Sequence, residues 1–364
     1  MATGHSLPPV GHRMKIMRTL PASAPASSLR VRASAAGPAT NAVRQVKLGK
    51  SPVLVSEVGI GAWSWGDRSN YWRGWCKDDC QRAFDASMDA GLTFVDTAEV
   101  YGFGQSERFL GEFVKAKSGA APPQIATKYA SLPWRQTASS VVSALDASLE
   151  RLDKTSIELY IQHWPGFFLN AFSNRATLEG LQMCLDAKKT EAVGVSNFNA
   201  SRVREAAKFF EGNGACLSSN QVQYSLLYRE PERNGVLEAC KEHGVSLVAY
   251  SPLCQGMLTG KYSAGNVPSG PRKMYFADSR FAEVASLLSL MDAIAEETGK
   301  SKAQIAINWL LCKDVIPIPG VRNASQVADI VGACGWRLTD GQVAELDRVS
   351  DKIPSSTGAP FEKW

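Results

Sequence analysis

From residue 59 onward, short apolar runs alternate with helix-length amphipathic stretches, and this alternation narrows the possible folds more than any other feature of the chain. Strands are predicted at 59–63, 92–95, 124–128, 157–162, 191–195, 217–222, 245–250 and 315–318. A helix opens at Asp78-Asp79 and stops at Gly91, and further helices are predicted at 105–117, 138–152, 175–188, 200–211, 232–243, 283–298, 302–312 and 324–332, with a last one near 340–348. Strands separated by helices run parallel, because the chain must cross back over the sheet before the next strand begins. Eight such units favour closure into a barrel over an open, doubly wound sheet. Ahead of them Val46, Leu48, Val53, Val55 and Val58 alternate across Gly49-Lys50, the pattern of a hairpin at the barrel bottom. The expected class is therefore α/β, a (β/α)8 TIM barrel with an N-terminal β-hairpin and an extra C-terminal helix. A chain of 364 residues, 45% of them hydrophobic, has the length and core for it. Ser301-x-x-Gln304, Asn323-x-x-Gln326 and Thr339-x-x-Gln342 each read as a capping box at a helix start.

In such a barrel, chemistry is built at the C-terminal ends of the strands. The run Thr93-Phe94-Val95-Asp96 passes from an apolar strand to a carboxylate and continues through Thr97-Ala98-Glu99-Val100 to Tyr101-Gly102. Lys128 closes the next strand and His163 the one after. These four residue types together suit proton delivery to a carbonyl oxygen while hydride reaches its carbon. The phenol of Tyr101 would be the acid, and an ammonium beside it would lower its ordinary value of about 10. Asp96 would balance Lys128, and His163 would orient or polarise the carbonyl oxygen. Each residue alone also fits an ordinary role: Asp96 as a turn or helix cap, Lys128 as a solvated strand-end lysine, His163 as a hydrogen-bonded core histidine and Tyr101 as a loop aromatic.

Asp96-Thr97-Ala98-Glu99-Val100-Tyr101-Gly102, Thr127-Lys128, Gln162-His163-Trp164-Pro165, Gly194-Val195-Ser196-Asn197-Phe198 and Ser251-Pro252-Leu253, in this order and at these separations, resemble the aldo-keto reductase superfamily over residues of about 44 to 349. The resemblance implies a catalytic tetrad of Asp96, Tyr101, Lys128 and His163. It implies that Ser196, Asn197 and Gln221 hydrogen-bond the nicotinamide carboxamide and that Tyr250 stacks on the ring. Asn199 also fits a helix N-cap. It further implies that 251–262, with Ser251, Leu253, Gly256, Gly260 and Lys261, lies along the cofactor, in a strap running on to about 281. Small residues there let backbone amides approach a pyrophosphate, and Lys261 adds a charge. No Gly-x-Gly-x-x-Gly fingerprint occurs at a strand-to-helix turn, which argues against a Rossmann mode. Gly320 and Arg322 precede a helix, where amides favour anions and a guanidinium can fork onto a 2′-phosphate, so NADPH is expected over NADH. Gln326 is carried over as an adenosine contact. The pattern departs at Ile330, where many relatives have an adenine-contacting Asn.

The substrate is expected to be a small carbonyl compound, with pyridoxal or lipid-derived reactive aldehydes suggested by similarity to plastid relatives. Its pocket would come from loops at 63–75, 130–135 and 164–172 and from the tail through Pro360–Trp364. Trp63, Trp65, Trp134 and Trp164 are the candidate wall residues. The 63–75 loop, with Tyr71, Trp72 and Trp75 as well, could equally anchor itself on the barrel rim. A second function class is a nucleotide-sensing binding subunit with slow turnover, as in the potassium-channel β subunits of the same superfamily. A metal-dependent hydrolase would need more ligands than Asp96 and His163 at strand ends.

Residues 1–34 carry Arg13, Lys15, Arg18, Arg30 and Arg32 among Ala, Ser and Pro, and the first acidic residue is Glu57. This composition reads as a disordered transit peptide over 1–40, for a chloroplast on the strength of Val31-Arg32-Ala33-Ser34 or alternatively a mitochondrion, with 41–364 as one barrel domain. An ordinary disordered tail is the other reading. The net charge of +5 belongs to those five residues, so the remainder is balanced and no nucleic-acid partner is expected. No apolar run reaches the roughly 18 residues of a membrane span. The eight cysteines suit reduced thiols, and Cys76-x3-Cys80 lacks the second pair a zinc site needs. The sequence leaves the oligomeric state open.

Overall fold

A computed structural model describes residues 43–117, 122–166 and 173–355. The N-terminal segment, the 167–172 part of the expected substrate loop and the Pro360–Trp364 tail lie outside the described residues. Strands β1 (Gln45–Lys47) and β2 (Leu54–Ser56) pair antiparallel, with Val46 opposite Val55. Eight parallel strands follow in unbroken sequential order: β3 (Ile60–Gly61), β4 (Phe94–Asp96), β5 (Gln124–Tyr129), β6 (Ile157–Gln162), β7 (Thr190–Ser196), β8 (Leu217–Gln223), β9 (Ser246–Tyr250) and β10 (Ile316–Pro317). The last strand meets the first. Gly59 donates its amide to the Pro317 carbonyl and Gly61 to Pro319, each at 2.9 Å, so the sheet closes into the expected barrel.

Strand alternation sends side chains to two separate cores. Inside the barrel Phe94, Ala126, Leu159, Ile161, Ala192, Val248 and Ile316 pack with Leu48, Val53 and Val55 of the hairpin, which thus plugs the bottom. A larger core fills the space between strands and helices, with Trp65, Phe84, Phe113, Tyr160, Phe210 and Trp309 among its members. The helices are α1 (Lys77–Asp89), α2 (Gln105–Ala116), α3 (Ala138–Leu152), α4 (Asn174–Asp186), α5 (Ala200–Gly212), α6 (Glu230–Arg233), α7 (Val236–His243), α8 (Asp278–Thr298), α9 (Lys302–Cys312), α10 (Ala324–Val331) and the C-terminal α11 (Asp340–Ser350). Glu57 is buried at the hairpin exit and bonds both Arg44 (Nε at 2.8 Å) and Arg337 (2.6 Å), which ties the barrel bottom to the segment before α11.

Four local expectations need correction. The helix predicted at 232–243 is two helices, α6 and α7, broken at Asn234-Gly235. Gly235 there has φ 79°, a left-handed conformation that glycine adopts without a Cβ clash. The helix predicted from 283 begins at Asp278, after 3-10 turns at Cys254–Thr259 and Pro271–Tyr275. Ser301 and Thr339 form full capping boxes with Gln304 and Gln342, whereas Asn323 caps α10 alone. The Gln326 side chain, which would complete the third box, instead accepts from the Arg322 amide at 2.8 Å. α1 starts one residue earlier than Asp78, on a Cys76 cap.

Candidate active site

Asp96, Lys128 and His163 stand at or just beyond the ends of β4, β5 and β6, and the turn after β4 carries Tyr101 back toward them. That turn is tight. Gly102 and Phe103 are both left-handed at φ 55°, and a Cβ on Gly102 would lie 2.4 Å from the Gly66 carbonyl oxygen, so only glycine fits there. Phe103 accepts the same conformation at a cost of order 1 kcal/mol. The strained turn is what aims the phenol inward.

The Lys128 ammonium is fully buried and uses its three donors on Asp96 Oδ1 at 2.5 Å, the Thr97 carbonyl at 2.8 Å and Tyr101 Oη at 3.3 Å. Asp96 Oδ2 accepts from Gln221 Nε2 at 2.7 Å. A buried charge pair with every donor and oxygen engaged avoids the penalty of an unpaired ion. Burial pushes the Tyr101 phenol above its ordinary value; Lys128 opposes that and Asp96 reinforces it. The expected lowering by the ammonium is outweighed by burial first, with the Asp96 charge adding to it. Tyr101 is therefore a protonated phenol at neutral pH.

His163 meets the Tyr101 ring edge-on at 5.7 Å and packs on Trp164 at 4.5 Å. Burial and then the Lys128 charge hold its imidazole well below the ordinary 6.5. Its Nδ1 is buried without a partner among the described residues. A neutral imidazole is available to a ligand atom across the physiological range. An unfolded chain takes up this proton near the ordinary value while the folded one refuses it, so stability is lost as pH falls below that value. Thermal unfolding followed between about pH 7 and pH 5 is expected to show a shallower fall of Tm in His163→Gln than in wild type. Parallel slopes would mean that His163 does not carry this term.

These groups open on a cavity of about 450 Å3. Its floor holds Asp96, Ser196, Asn197 and Gln221. Ser196 Oγ donates to the Gln221 carbonyl at 2.7 Å, Asn197 Nδ2 to the His163 carbonyl at 3.2 Å, and Tyr250 Oη to Asn197 Oδ1 at 2.9 Å. Asn199 caps α5. Toward one end lie Ser251, Leu253, Gly256 and Lys261, then Gly320, Arg322 and Gln326. Gly260 is in the same turn but off the cavity wall. Trp63 and Trp164 line the cavity beside Tyr101 and His163. Trp65 and Trp134 do not. Trp65 is wholly buried behind the strands, its Nε1 donating to the Val321 carbonyl at 2.8 Å, and Trp134 is 74% exposed on the β5–α3 loop. The sequence shows that both share loops with the site but not which way each side chain turns.

The cavity also has a wall that no motif marks. Ser64, Trp72, Gln255 and Arg272 line it, and each carries a buried polar atom without a partner among the described residues: Ser64 Oγ, Trp72 Nε1, Gln255 Oε1 and Arg272 Nε. Buried polar groups normally find partners, so this is a site shaped to receive a polar ligand. Ser64 and Trp72 fall in the loop, and Gln255 and Arg272 in the strap, that the sequence places at the site, but nothing in the sequence marks these four side chains as facing one wall.

Residues 57–351 match the Aldo/keto reductase family. The chain belongs to that family. Its eight parallel strands with intervening helices are those of relatives with solved structures. The glycerol dehydrogenase from Gluconobacter oxydans superposes with a TM-score of 0.72 at 26% identity, covering 88% of this chain and 98% of that one. The chloroplastic pyridoxal reductase of Arabidopsis thaliana is 36% identical over 322 residues, 86% of this chain and 87% of that protein. A Schizosaccharomyces pombe aldo-keto reductase whose name specifies NADP(+) is 30% identical over 291 residues, 74% of this chain and 82% of that protein. This aldo/keto reductase is accordingly an oxidoreductase of small carbonyl compounds that works with a nicotinamide cofactor. Among its described residues no helix is long and apolar enough to cross a membrane. Ile330 is buried in the outer core of this aldo/keto reductase.

Proposed function

We propose that this aldo/keto reductase reduces an aldehyde or ketone to the alcohol, with Tyr101 donating the proton to the carbonyl oxygen. The observation that carries the reading is the Asp96–Lys128–Tyr101 chain of contacts ending at a protonated phenol on the cavity wall. NADPH, when bound, supplies the hydride from nicotinamide C4. His163, neutral beside that phenol, is suited to hold the carbonyl oxygen by a hydrogen bond. As the carbonyl oxygen gains negative charge, the phenol proton moves to it, and Lys128 stabilises the phenolate left behind. Asp96 keeps Lys128 charged and in place.

The cavity fits a dinucleotide. Ser196, Asn197 and Gln221 offer donors and acceptors for a carboxamide, and Tyr250 lies beside them. Lys261, Arg272 and Arg322 line the same cavity, where the one carboxylate among the described residues, Asp96, is already paired. That excess of positive charge suits phosphates and supports NADPH over NADH, as does the NADP(+) of the yeast relative. Arg322→Met is expected to raise KM for NADPH by roughly ten-fold or more and to leave KM for NADH little changed. An equal rise for both cofactors would remove the 2′-phosphate role.

Beside Tyr101 and His163, Trp63 and Trp164 make an aromatic wall. A planar, uncharged aldehyde suits it, and the Arabidopsis relative is named for pyridoxal, so pyridoxal is the first substrate to try. NADPH oxidation followed at 340 nm with a panel of aldehydes and ketones tests the whole reading. Absence of turnover on every carbonyl, with cofactor still bound, would favour a nucleotide-binding subunit instead. The acid-free N-terminal segment and the chloroplastic relative together support a plastid location.

A further inference from the structure

Glu99 belongs to the run that carries Asp96 and Tyr101 but has no part in the chemistry proposed above. Its side chain is 9% exposed and lies off the cavity wall. Oε1 accepts from the Ala130 amide at 2.6 Å, and Arg135 forks onto the carboxylate, Nη1 to Oε1 and Nη2 to Oε2, the latter at 3.1 Å. Arg135 Nη1 also donates to the Ala130 carbonyl at 3.2 Å, and its guanidinium lies 5.3 Å from the ring centre of Tyr129. Strand β5 ends at Tyr129, so one ion pair meets both backbone polar groups of the residue that follows. The pair joins the turn after β4 to the loop after β5.

That loop is tied on its other side as well. Ser131 is buried and donates through Oγ to the Trp164 carbonyl at 2.8 Å, and Trp164 Nε1 donates back to the Ser131 carbonyl at 3.1 Å. The His163 amide donates to the Tyr129 carbonyl at 2.9 Å, and Trp164 packs on the His163 ring. Two residues, Ala130 and Ser131, therefore stand between the arm that carries Tyr101 and the arm that carries His163. The Tyr101 turn needs such a hold, because with Gly102 and Phe103 both left-handed it keeps its shape only where its surroundings over-determine it. Lys128 restrains one atom, the phenol oxygen, at 3.3 Å, whereas the forked Glu99 restrains the backbone two residues before the ring.

We propose that Glu99 is a positioning residue for the reduction: with Arg135 and the Ala130 amide it fixes where the Tyr101 phenol stands relative to His163 and Trp164, and so the line along which the proton meets the carbonyl oxygen. The proposal rests on the reductase reading above and extends it to groups outside the cavity. A displacement of about 1 Å at a reacting group costs up to about a hundred-fold in rate, and freeing a strained turn from its fork allows a shift of that order. Glu99 is off the cavity wall, so its effect falls on the chemical step and not on the binding of NADPH. Glu57 provides the comparison, a buried carboxylate that likewise holds two arginines, at the barrel bottom.

Single-turnover oxidation of enzyme-bound NADPH at 340 nm, after mixing with saturating pyridoxal or with the panel carbonyl that wild type turns over fastest, reads the chemical step apart from product release. Glu99→Gln keeps an acceptor for the Ala130 amide but breaks the ion pair. It and Arg135→Met are each expected to slow that step by roughly ten- to hundred-fold, with Kd for NADPH within about two-fold of wild type. The variant carrying both substitutions is expected to be no slower than the slower single one, because both remove the same fork. Glu57→Gln is expected to lower Tm and leave the single-turnover rate within about two-fold of wild type. Arg135 is partly exposed, so its variant tests the pair even where Glu99→Gln does not fold. Single-turnover rates in the Glu99 and Arg135 variants that match wild type would overturn the proposal, as would additive losses in the combined variant or an equal loss of NADPH affinity. A Glu57→Gln enzyme slowed as much as Glu99→Gln would trace the effect to stability alone and overturn it too. If wild type oxidises NADPH with no carbonyl, the reductase reading itself fails; if wild type is active and these variants match it, only this inference does.

Discussion

Tyr101→Phe is expected to lower kcat by about 10^2- to 10^4-fold, the usual contribution of a positioned general acid, while leaving the dissociation constant for NADPH within about two-fold of wild type. The substitution removes one oxygen, 3.3 Å from Lys128 Nζ. The ring contacts with Trp63 and His163 can persist, because a phenyl ring packs as a phenol does. No fold-level change should accompany the loss, and a thermal melt beside the kinetics checks that. Retained turnover in Tyr101→Phe would mean that the proton comes from another group, and the neutral His163 would be the next to test.

Lys128→Met is expected to damage stability as well as rate. The ammonium supplies three contacts in a fully buried position, and its removal leaves Asp96 with Gln221 as its remaining side-chain partner. Breaking a buried ion pair by removing one partner costs about 3–5 kcal/mol, because the remaining charge must stay desolvated or bind a proton. Urea unfolding should show that loss. Asp96→Asn placed on top of Lys128→Met should recover part of it, since the orphaned charge is then gone, and such a double-mutant cycle separates the pair from its surroundings. A loss that does not recover would trace the effect to packing of the lysine stem instead. Activity is expected to fall in both variants, because a phenolate beside no cation is harder to form.

Much of this molecule was legible before any coordinates. The alternation of strand and helix fixed the barrel, because the side-chain periods of about 2 and 3.6 are set by backbone geometry and survive in the one-dimensional pattern. The hairpin followed from the same alternation, but its register, with Val46 opposite Val55, is set by the longer turn that the structure shows. Asp96, Lys128 and His163 could be found because strand ends are visible in sequence, and the barrel puts strand ends on one face. Local breaks were harder to see. Asn234-Gly235 divides a stretch whose apolar spacing runs on as if it were one helix, and Asp278 begins α8 before its apolar stripe starts. Gln326 satisfies the spacing of a capping box yet turns to the Arg322 amide, a choice made by where the preceding loop lies.

The tertiary structure alone decided the direction of side chains in loops and the balance of charge in the cavity. Trp63 and Trp65 are two residues apart; the first faces the cavity and the second is sealed behind the barrel. Nothing in Gly270-Pro271-Arg272-Lys273 announces that Arg272 reaches the Trp72 indole, as Arg322 does, because their encounter depends on two loops whose lengths and turns carry no period. The Tyr101 phenol is held above its ordinary value rather than below it for a similar reason: the sequence shows an ammonium nearby, but only the fold shows that the phenol is shielded from water and that Asp96 stands beside the same lysine. Periodic backbone order is written locally in the chain, whereas burial and charge pairing are sums over distant residues that exist only once the barrel has closed.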